Sequence, residues 1–280
     1  MAKTLKIQQT KGKGVKKVPI EVFNRYEYKY LIDSEVRKRV EEALLSNMEL
    51  DEYNKKHELY TISNIYYDTE DNYLIRQSLS KPKYKEKLRL RSYGVPKEDD
   101  KVFLEIKKKF CGLVNKRRTR IRLDEAYDFL ASYRKPELKK YMNGQILNEI
   151  EYLLKKYELK PMLYLAYDRK AFFSKENRDL RITFDTNIRT RRYDLRLEMG
   201  DYGEQLLDDG MWLMEVKAEK SIPLWLARLL SENRIYKIGF SKYGKEYERM
   251  IASKIKREGE INVCSKKYSI QPQLIHQSLS

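Results

Sequence analysis

Lys85, Lys87, Arg89 and Arg91 follow one another at every second position, with Leu88 and Leu90 between them. On an extended strand, side chains two apart share a face, so this stretch presents one wholly cationic face and one apolar face. The same arithmetic sets Glu105, Lys107 and Lys109 opposite Val102, Leu104 and Ile106, and Arg25, Glu27 and Lys29 opposite Tyr26, Tyr28 and Tyr30. It sets Arg181, Thr183 and Asp185 opposite Ile182 and Phe184, and Glu215 and Lys217 opposite Met214 and Val216, while Lys116, Arg118, Arg120 and Arg122 share a further face. One such strand reads as an ordinary half-exposed strand with its polar side in water. Six together favour charged faces gathered inside a closed sheet with the apolar faces buried outward under helices, although an open sheet with one basic face has the same periodicity.

Like charges crowded into a barrel repel; two unit charges 4 Å apart interact by about 4 kcal/mol at an effective dielectric of about 20. Such a lining requires a bound polyanion. A linear phosphate chain suits it, because each unit offers anionic oxygens to bidentate Arg and point-charge Lys. The interspersed carboxylates would hold a divalent cation through oxygen ligands. Other chemistries find no residues: there is no Gly-x-x-x-x-Gly-Lys-Ser/Thr phosphate loop, which sets aside a P-loop kinase or ATPase. His57 and His276 read as surface residues and Trp225 as core, and the tyrosines, alternating with charge, are expected to pack beneath helices, with one or two free to stack on a base.

The elements that must position these residues follow from pattern. Extended runs are expected at 21–32, 61–67, 83–93, 101–109, 114–123, 162–171, 178–185, 189–197 and 211–218, with turns at Gly94-Val95-Pro96 and Cys111-Gly112. Short turns predict antiparallel neighbours. Helical spacing appears after Asp33-Ser34 (Val36, Val40, Ala43, Leu44), at 124–133, at 146–157 and at 223–233. The 280 residues carry 59 Lys and Arg against 42 Asp and Glu, a net charge of +17, with 41% hydrophobic residues and 23 tyrosines. That composition folds rather than stays disordered. Two cysteines exclude a disulfide scaffold and a cysteine-based zinc ribbon, and no apolar run is long enough to span a bilayer or to serve as a signal peptide. The expected organisation is a flexible basic arm over 1–18 with six lysines, a single domain over 19–257 and a loose polar tail over 258–280. The fold class expected from these elements is α+β, antiparallel, with helices packed outside; a closed β-barrel lined by basic residues and an open sheet with one basic face both fit the pattern.

An ordered set of motifs between Phe23 and Gly244 carries a family resemblance: Arg25-x-Glu27-x-Lys29-Tyr30, Ile65-Tyr66-Tyr67-Asp68-Thr69, Leu88-Arg89-Leu90-Arg91-Ser92-Tyr93-Gly94 and Phe103-Leu104-Glu105-Ile106-Lys107, followed by Tyr167-Asp168-Arg169-Lys170-Ala171-Phe172, Arg181-Ile182-Thr183-Phe184-Asp185-Thr186, Glu215-Val216-Lys217 and Phe240-Ser241-Lys242. In this order the chain resembles the polyphosphate polymerase domain of the vacuolar transporter chaperone complex, within the triphosphate tunnel metalloenzyme (CYTH-like) superfamily.

The resemblance implies a triphosphate tunnel in which ATP and a growing polyphosphate chain lie among basic side chains, with a divalent metal, manganese first and magnesium second, at the phosphates. It implies an ATP:polyphosphate phosphotransferase with Lys29, Arg89, Arg91, Lys107 and Arg181 as catalytic residues. Arg25, Lys87, Lys116, Arg118, Arg169, Lys217, Ser241 and Lys242 would bind the phosphates. Glu215 would hold the metal, with Glu27, Glu105 and Asp185 as further candidates. Hydrolytic members open with Glu-x-Glu-x-Lys, whereas this chain has Arg25 at the first position; losing that carboxylate argues against a simple triphosphatase. A metal-dependent triphosphatase or polyphosphatase in the same tunnel, and a non-catalytic polyphosphate or RNA binding module, are the competing readings. Nucleic acid is the weaker partner, since single-strand binding uses exposed aromatics beside a basic groove. A cytoplasmic location is expected, or one peripheral to the inner face of the membrane beside a separately encoded membrane partner.

Overall fold

The computed structural model describes residues 26–267 other than 112, 177 and 220, and side chains other than those of 113 and 258–267. The expected basic arm and Arg25 lie outside these residues, as does 268–280 of the expected tail. In chain order the elements are β1 (Tyr26–Asp33), α1 (Ser34–Leu44), β2 (Met48–Leu50), β3 (Tyr60–Asp68), α2 (Tyr73–Leu79), β4 (Tyr84–Tyr93), β5 (Lys101–Phe110) and β6 (Leu113–Arg122). They continue with α3 (Leu123–Ser132), α4 (Gly144–Tyr157), β7 (Lys160–Ser174), β8 (Arg181–Arg191), β9 (Glu204–Gln205), β10 (Met211–Ala218), α5 (Leu224–Glu232) and α6 (Lys242–Lys267).

The strands form one antiparallel sheet in the order β1-β10-β8-β7-β3-β4-β5-β6, with β2 on β7 and β9 on β8. No ladder joins β1 to β6 among the described residues. The sheet curls until Lys107 of β5 lies 3.5 Å from Glu27 of β1, so side chains rather than backbone hydrogen bonds complete the tunnel across the gap.

The apolar faces point outward, as alternation demands. Leu88, Leu90, Leu104, Ile106 and Ile121 pack under Phe129 and Leu130 of α3 and Ile146, Ile150, Leu153 and Leu154 of α4. Ile32, Ile182, Phe184, Met214 and Val216 pack under Val40 and Leu44 of α1 and Leu226 and Leu230 of α5. Two of these helices, α1 and α4, start where a side chain satisfies a first-turn amide: Asp33 accepts from Val36 N–H at 2.8 Å and Asn143 from Ile146 N–H at 3.2 Å. A third cluster, with Ile62, Tyr66, Leu163, Leu165 and Leu213, lies on the concave side, where Ile75 of α2 and Tyr243 of α6 cover it. Its residues share faces with Asn64, Arg169 and Glu215, so the concave face is cationic over one part and apolar over the rest.

Three expectations change. The separate strands at 178–185 and 189–197 are one strand, β8, which passes through a bulge opposite Ala166/Asp168 with Asn187 at φ 48°. Beyond Arg191 the chain leaves the sheet because that guanidinium is held between the rings of Tyr164 and Tyr202, at 3.5 and 4.2 Å, and donates to the carbonyls of Asp194, Arg196 and Tyr202. The short elements α2, β2 and β9 are additional to the sequence reading, and so is the 26-residue helix α6. No helix of the described residues is long and apolar enough to cross a membrane.

Candidate active site

Alternation and register together place the charges. Across β4, β5 and β6, Arg89 stands opposite Glu105 and Glu105 opposite Arg118, while Lys87, Lys107 and Lys116 make the neighbouring row. On the other wall Lys29 faces Glu215, Glu27 faces Lys217, Lys217 faces Arg181, and Arg169 faces Asp185. The rows enclose a cavity of about 450 Å³. Eleven basic side chains line it (Lys29, Lys87, Arg89, Arg91, Lys107, Lys116, Arg118, Arg169, Arg181, Lys217 and Lys242) against three carboxylates, Glu27, Glu105 and Glu215.

Each carboxylate is shared among several cations. Glu105, 1% exposed, takes Arg89 Nε at 2.7 Å and Arg91 Nε at 3.8 Å on Oε2, and Lys116 Nζ at 2.7 Å on Oε1. Glu215 meets Lys29 at 3.3 Å and Lys242 at 3.2 Å through Oε1, and Lys217 at 3.3 Å and Arg169 at 4.0 Å through Oε2. Glu27 meets Lys29 at 3.6 Å and Lys107 at 3.5 Å. Burial alone would raise these three carboxyls, but the surrounding cations outweigh it: Glu27 is brought down to about 2 by Lys107, Lys217 and Lys29, and Glu105 and Glu215 are held well below the ordinary range.

The cations are not equally compensated. Arg91 is fixed by Asn64 Oδ1 at 2.8 Å and the Tyr167 hydroxyl at 3.2 Å, and Arg89 donates to the Tyr66 hydroxyl at 3.0 Å. By contrast, Lys87 is pushed down to about 7, first by burial and then by Lys107, Lys85, Lys29 and Arg89. Burial also lowers Lys116; Glu105 pulls it up, Arg91 and Arg89 push it down again, and the balance is about 7. One carboxylate cannot neutralise three cations. Arg181 donates to Asp51 Oδ2 at 3.3 Å through Nη2, while its buried Nε has no acceptor, a donor that an anionic oxygen in the cavity would satisfy.

Ser241 accepts from Gly244 N–H at 3.2 Å at the start of α6 and from Lys87 Nζ at 3.4 Å. This brings a helix N-terminus, which favours anions, to the cavity wall. Gly244 permits the approach, since a Cβ there would lie 3.0 Å from Leu79 of α2.

All the residues read from sequence as catalytic or phosphate-binding line this cavity, apart from Arg25, which lies outside the described residues. Asp185, expected as a further metal candidate, does not line it: its carboxylate takes Arg169 at 2.6 and 2.8 Å and Lys242 at 2.5 Å, and is fully buried behind them. The reading missed Tyr60, Tyr66, Tyr93, Tyr167 and Tyr243 as lining residues of the cavity, although Tyr66, Tyr167 and Tyr243 also pack in the cluster with Ile75 of α2. The signal was present, because Tyr93 lies two positions from Arg91 and Tyr167 two from Arg169, hence on the charged faces.

The donor set bears on a metal. Among the described residues no group of three or more His, Cys, Asp or Glu is placed to hold one. Glu27 and Glu215 both lie against Lys29 Nζ, at 3.6 and 3.3 Å, so an ammonium group stands between the two carboxylates whose oxygens a hard divalent cation would use together with phosphate and water.

No curated protein matches the sequence. Similar solved structures include proposed adenylate cyclases from Bacillus halodurans (15% identity, TM-score 0.47, covering 78% of this chain and 95% of that one) and Vibrio parahaemolyticus (13%, 0.43, 81% and 99%). A third is a Hippeastrum protein described as an adenylyl cyclase with a dominant triphosphatase activity (16%, 0.44, 78% and 92%). Residues 24–251 match the VTC domain, and the chain belongs to the VTC domain family.

Proposed function

We propose that the tunnel transfers the γ-phosphoryl group of ATP to the end of an inorganic polyphosphate chain. The observation that carries this reading is that a cavity lined by eleven cations holds three carboxylates, all kept below their ordinary range. Carboxylates so strongly held in the anionic form are poor acceptors of a proton from water at neutral pH, and Lys87 and Lys116, at about 7, are the groups a hydrolytic reading would use as base. A terminal phosphate oxygen of the chain is already anionic and needs no base. It attacks the γ-phosphorus, the bond from that phosphorus to the β–γ bridging oxygen breaks, and ADP leaves with the electron pair while the chain gains one unit.

The residues then work by positioning and charge neutralisation, as a loose phosphoryl-transfer transition state requires. Arg89 and Arg91, locked by Glu105, Tyr66, Asn64 and Tyr167, would hold the transferring group in a fixed orientation. Arg181, through its unsatisfied Nε, would take a further oxygen. Lys29, Lys87, Lys107, Lys116 and Lys217 would spread charge along the chain. A manganese or magnesium ion, held by Glu215 with Glu27, would neutralise charge on the phosphate oxygens.

Phosphorus NMR of the protein with ATP and manganese tests this. The expected result is growth of the internal-phosphate signal with ADP release, reduced at least a hundredfold in Glu215→Ala, on the order of what losing one electrostatic contact costs. Orthophosphate without chain growth would assign the tunnel to a triphosphatase instead.

A further inference from the structure

One mouth of the tunnel has a chemistry that phosphate does not explain. Tyr53 in the turn after β2, Tyr60 at the start of β3, Tyr93 at the end of β4 and Phe103 of β5 form one aromatic set. The rings of Tyr53 and Tyr93 are parallel to within 4°, with centroids 5.7 Å apart. Tyr60 tilts against both, at 5.5 and 6.1 Å, and Phe103 meets Tyr93 edge-on at 5.9 Å. Tyr60 and Tyr93 also line the cavity, so the set is continuous with the phosphate-binding wall. Yet Tyr53 is 55% exposed and Tyr93 40% exposed: the stacked pair presents ring surface to solvent at the entrance.

The set also lies among arginines. Arg118 and Arg120 cover Phe103 at 4.6 and 5.7 Å, Arg91 is Phe103's cross-strand partner and Arg169 is Tyr60's. A ligand that satisfies both features has a flat, π-faced end and a polyanionic end. Inorganic polyphosphate has only the second.

Building on the nucleotide reading above, we propose that this rim is a nucleobase platform: the base of the donor nucleotide stacks on Tyr53 and Tyr93, and its phosphates pass Tyr60 to reach Arg91, Arg118, Arg169 and Arg181. The platform gives the tunnel a direction. The nucleotide occupies the aromatic mouth, and the phosphate chain lies toward Lys87 and Lys107, with Lys85 and Lys109 next along β4 and β5. From Tyr93 to Lys85, β4 spans roughly 26 Å at about 3.3 Å per residue, room for a donor and several acceptor units in line. Because stacking accepts any π-face, the platform holds ATP and GTP alike and favours both over pyrimidine nucleotides.

Calorimetric titration with β,γ-imido ATP and, separately, inorganic tripolyphosphate tests the assignment on the wild type, Tyr53→Ala, Tyr93→Ala and Tyr93→Phe. Stacking of one base contributes about 1–3 kcal/mol, so each alanine variant should lose about fivefold to a hundredfold in affinity for the nucleotide. Tripolyphosphate should stay within about twofold, and Tyr93→Phe should bind the nucleotide like the wild type. Equal losses for both ligands, or no loss for either, would overturn the platform while leaving the tunnel's phosphate chemistry intact. A wild type that binds tripolyphosphate but not the nucleotide would overturn the nucleotide reading itself.

Discussion

Lys87 and Lys116 show what the tunnel's own carboxylates do not supply. Lys87 faces Lys107 across the ladder, with Lys85 and Arg89 on its own strand and Lys29 from the opposite wall; burial and this company bring it down to about 7. Lys116 has Glu105 beside it, but Arg89 and Arg91 claim the same carboxylate, and it too falls to about 7. A bound phosphate chain supplies the missing negative charge and draws both ammonium groups back toward their ordinary values. Above pH 7 the free protein therefore holds these lysines largely neutral and the complex holds them protonated, so binding takes up protons and affinity falls as pH rises. Below about pH 6 both forms are already protonated and this dependence vanishes. Tripolyphosphate titrations at pH 8 in buffers of different ionisation enthalpy should show uptake of one to two protons. Lys87→Arg, which keeps its charge at every pH used, should reduce that uptake by about one. Equal uptake in the two proteins would show that Lys87 is not the titrating group.

At the scale of elements, a two-residue strand period is imposed by the backbone, which is why the cationic walls on β4, β5, β6, β8 and β10 were legible. Arg169 and Lys242 were legible through the family's motifs rather than through alternation. Strand order and closure were not, because they depend on which apolar faces meet which helices, and alternation is the same in an open sheet. Seven-residue α2 was hidden for another reason: its first-turn amides are held by the two side chains that end β3 and follow it, with Thr69 Oγ1 accepting from Tyr73 N–H at 2.8 Å, rather than by a cap at its own N-terminus. The carboxylate of Asp68, at the end of β3, accepts from Thr69 and Leu74 N–H at 2.8 Å each, from Ile75 N–H at 3.0 Å and from the Tyr243 hydroxyl at 3.0 Å. It joins β3, the start of α2 and the first turn of α6, so the Asp68-Thr69 motif serves the wall that carries Ser241 and Lys242. Asp68→Ala strands donors from α2 and α6 and the amide of Thr69 in the connection after β3, and should cost about 2–4 kcal/mol in urea unfolding, whereas Tyr243→Phe, which removes one donor, should cost about 1 kcal/mol. A loss below about 1 kcal/mol for Asp68→Ala would show that α2 and α6 dock without it.

For the whole molecule, the division of labour between the two sides of the sheet explains how such a chain folds. The apolar clusters lie mainly outside, under α1, α3, α4 and α5, where burial stabilises the sheet without asking anything of its interior. The interior can then carry an excess of positive charge that opposes folding by self-repulsion. No ladder joins the end strands β1 and β6 among the described residues, and Lys107 of the penultimate strand β5 reaches Glu27 of β1 across the gap, so a charged contact spans the open side of the tunnel. A ligand that binds the folded state alone stabilises it by about 2.7 kcal/mol at a hundred times its Kd. For a chain of 280 residues that corresponds to a rise in Tm of about 5 °C. Tripolyphosphate at that level should produce such a shift, and sulfate at matched ionic strength a much smaller one, because only a linear polyanion reaches both walls at once. Equal shifts would mean that the cations respond to ionic strength rather than to a chain bound along the tunnel.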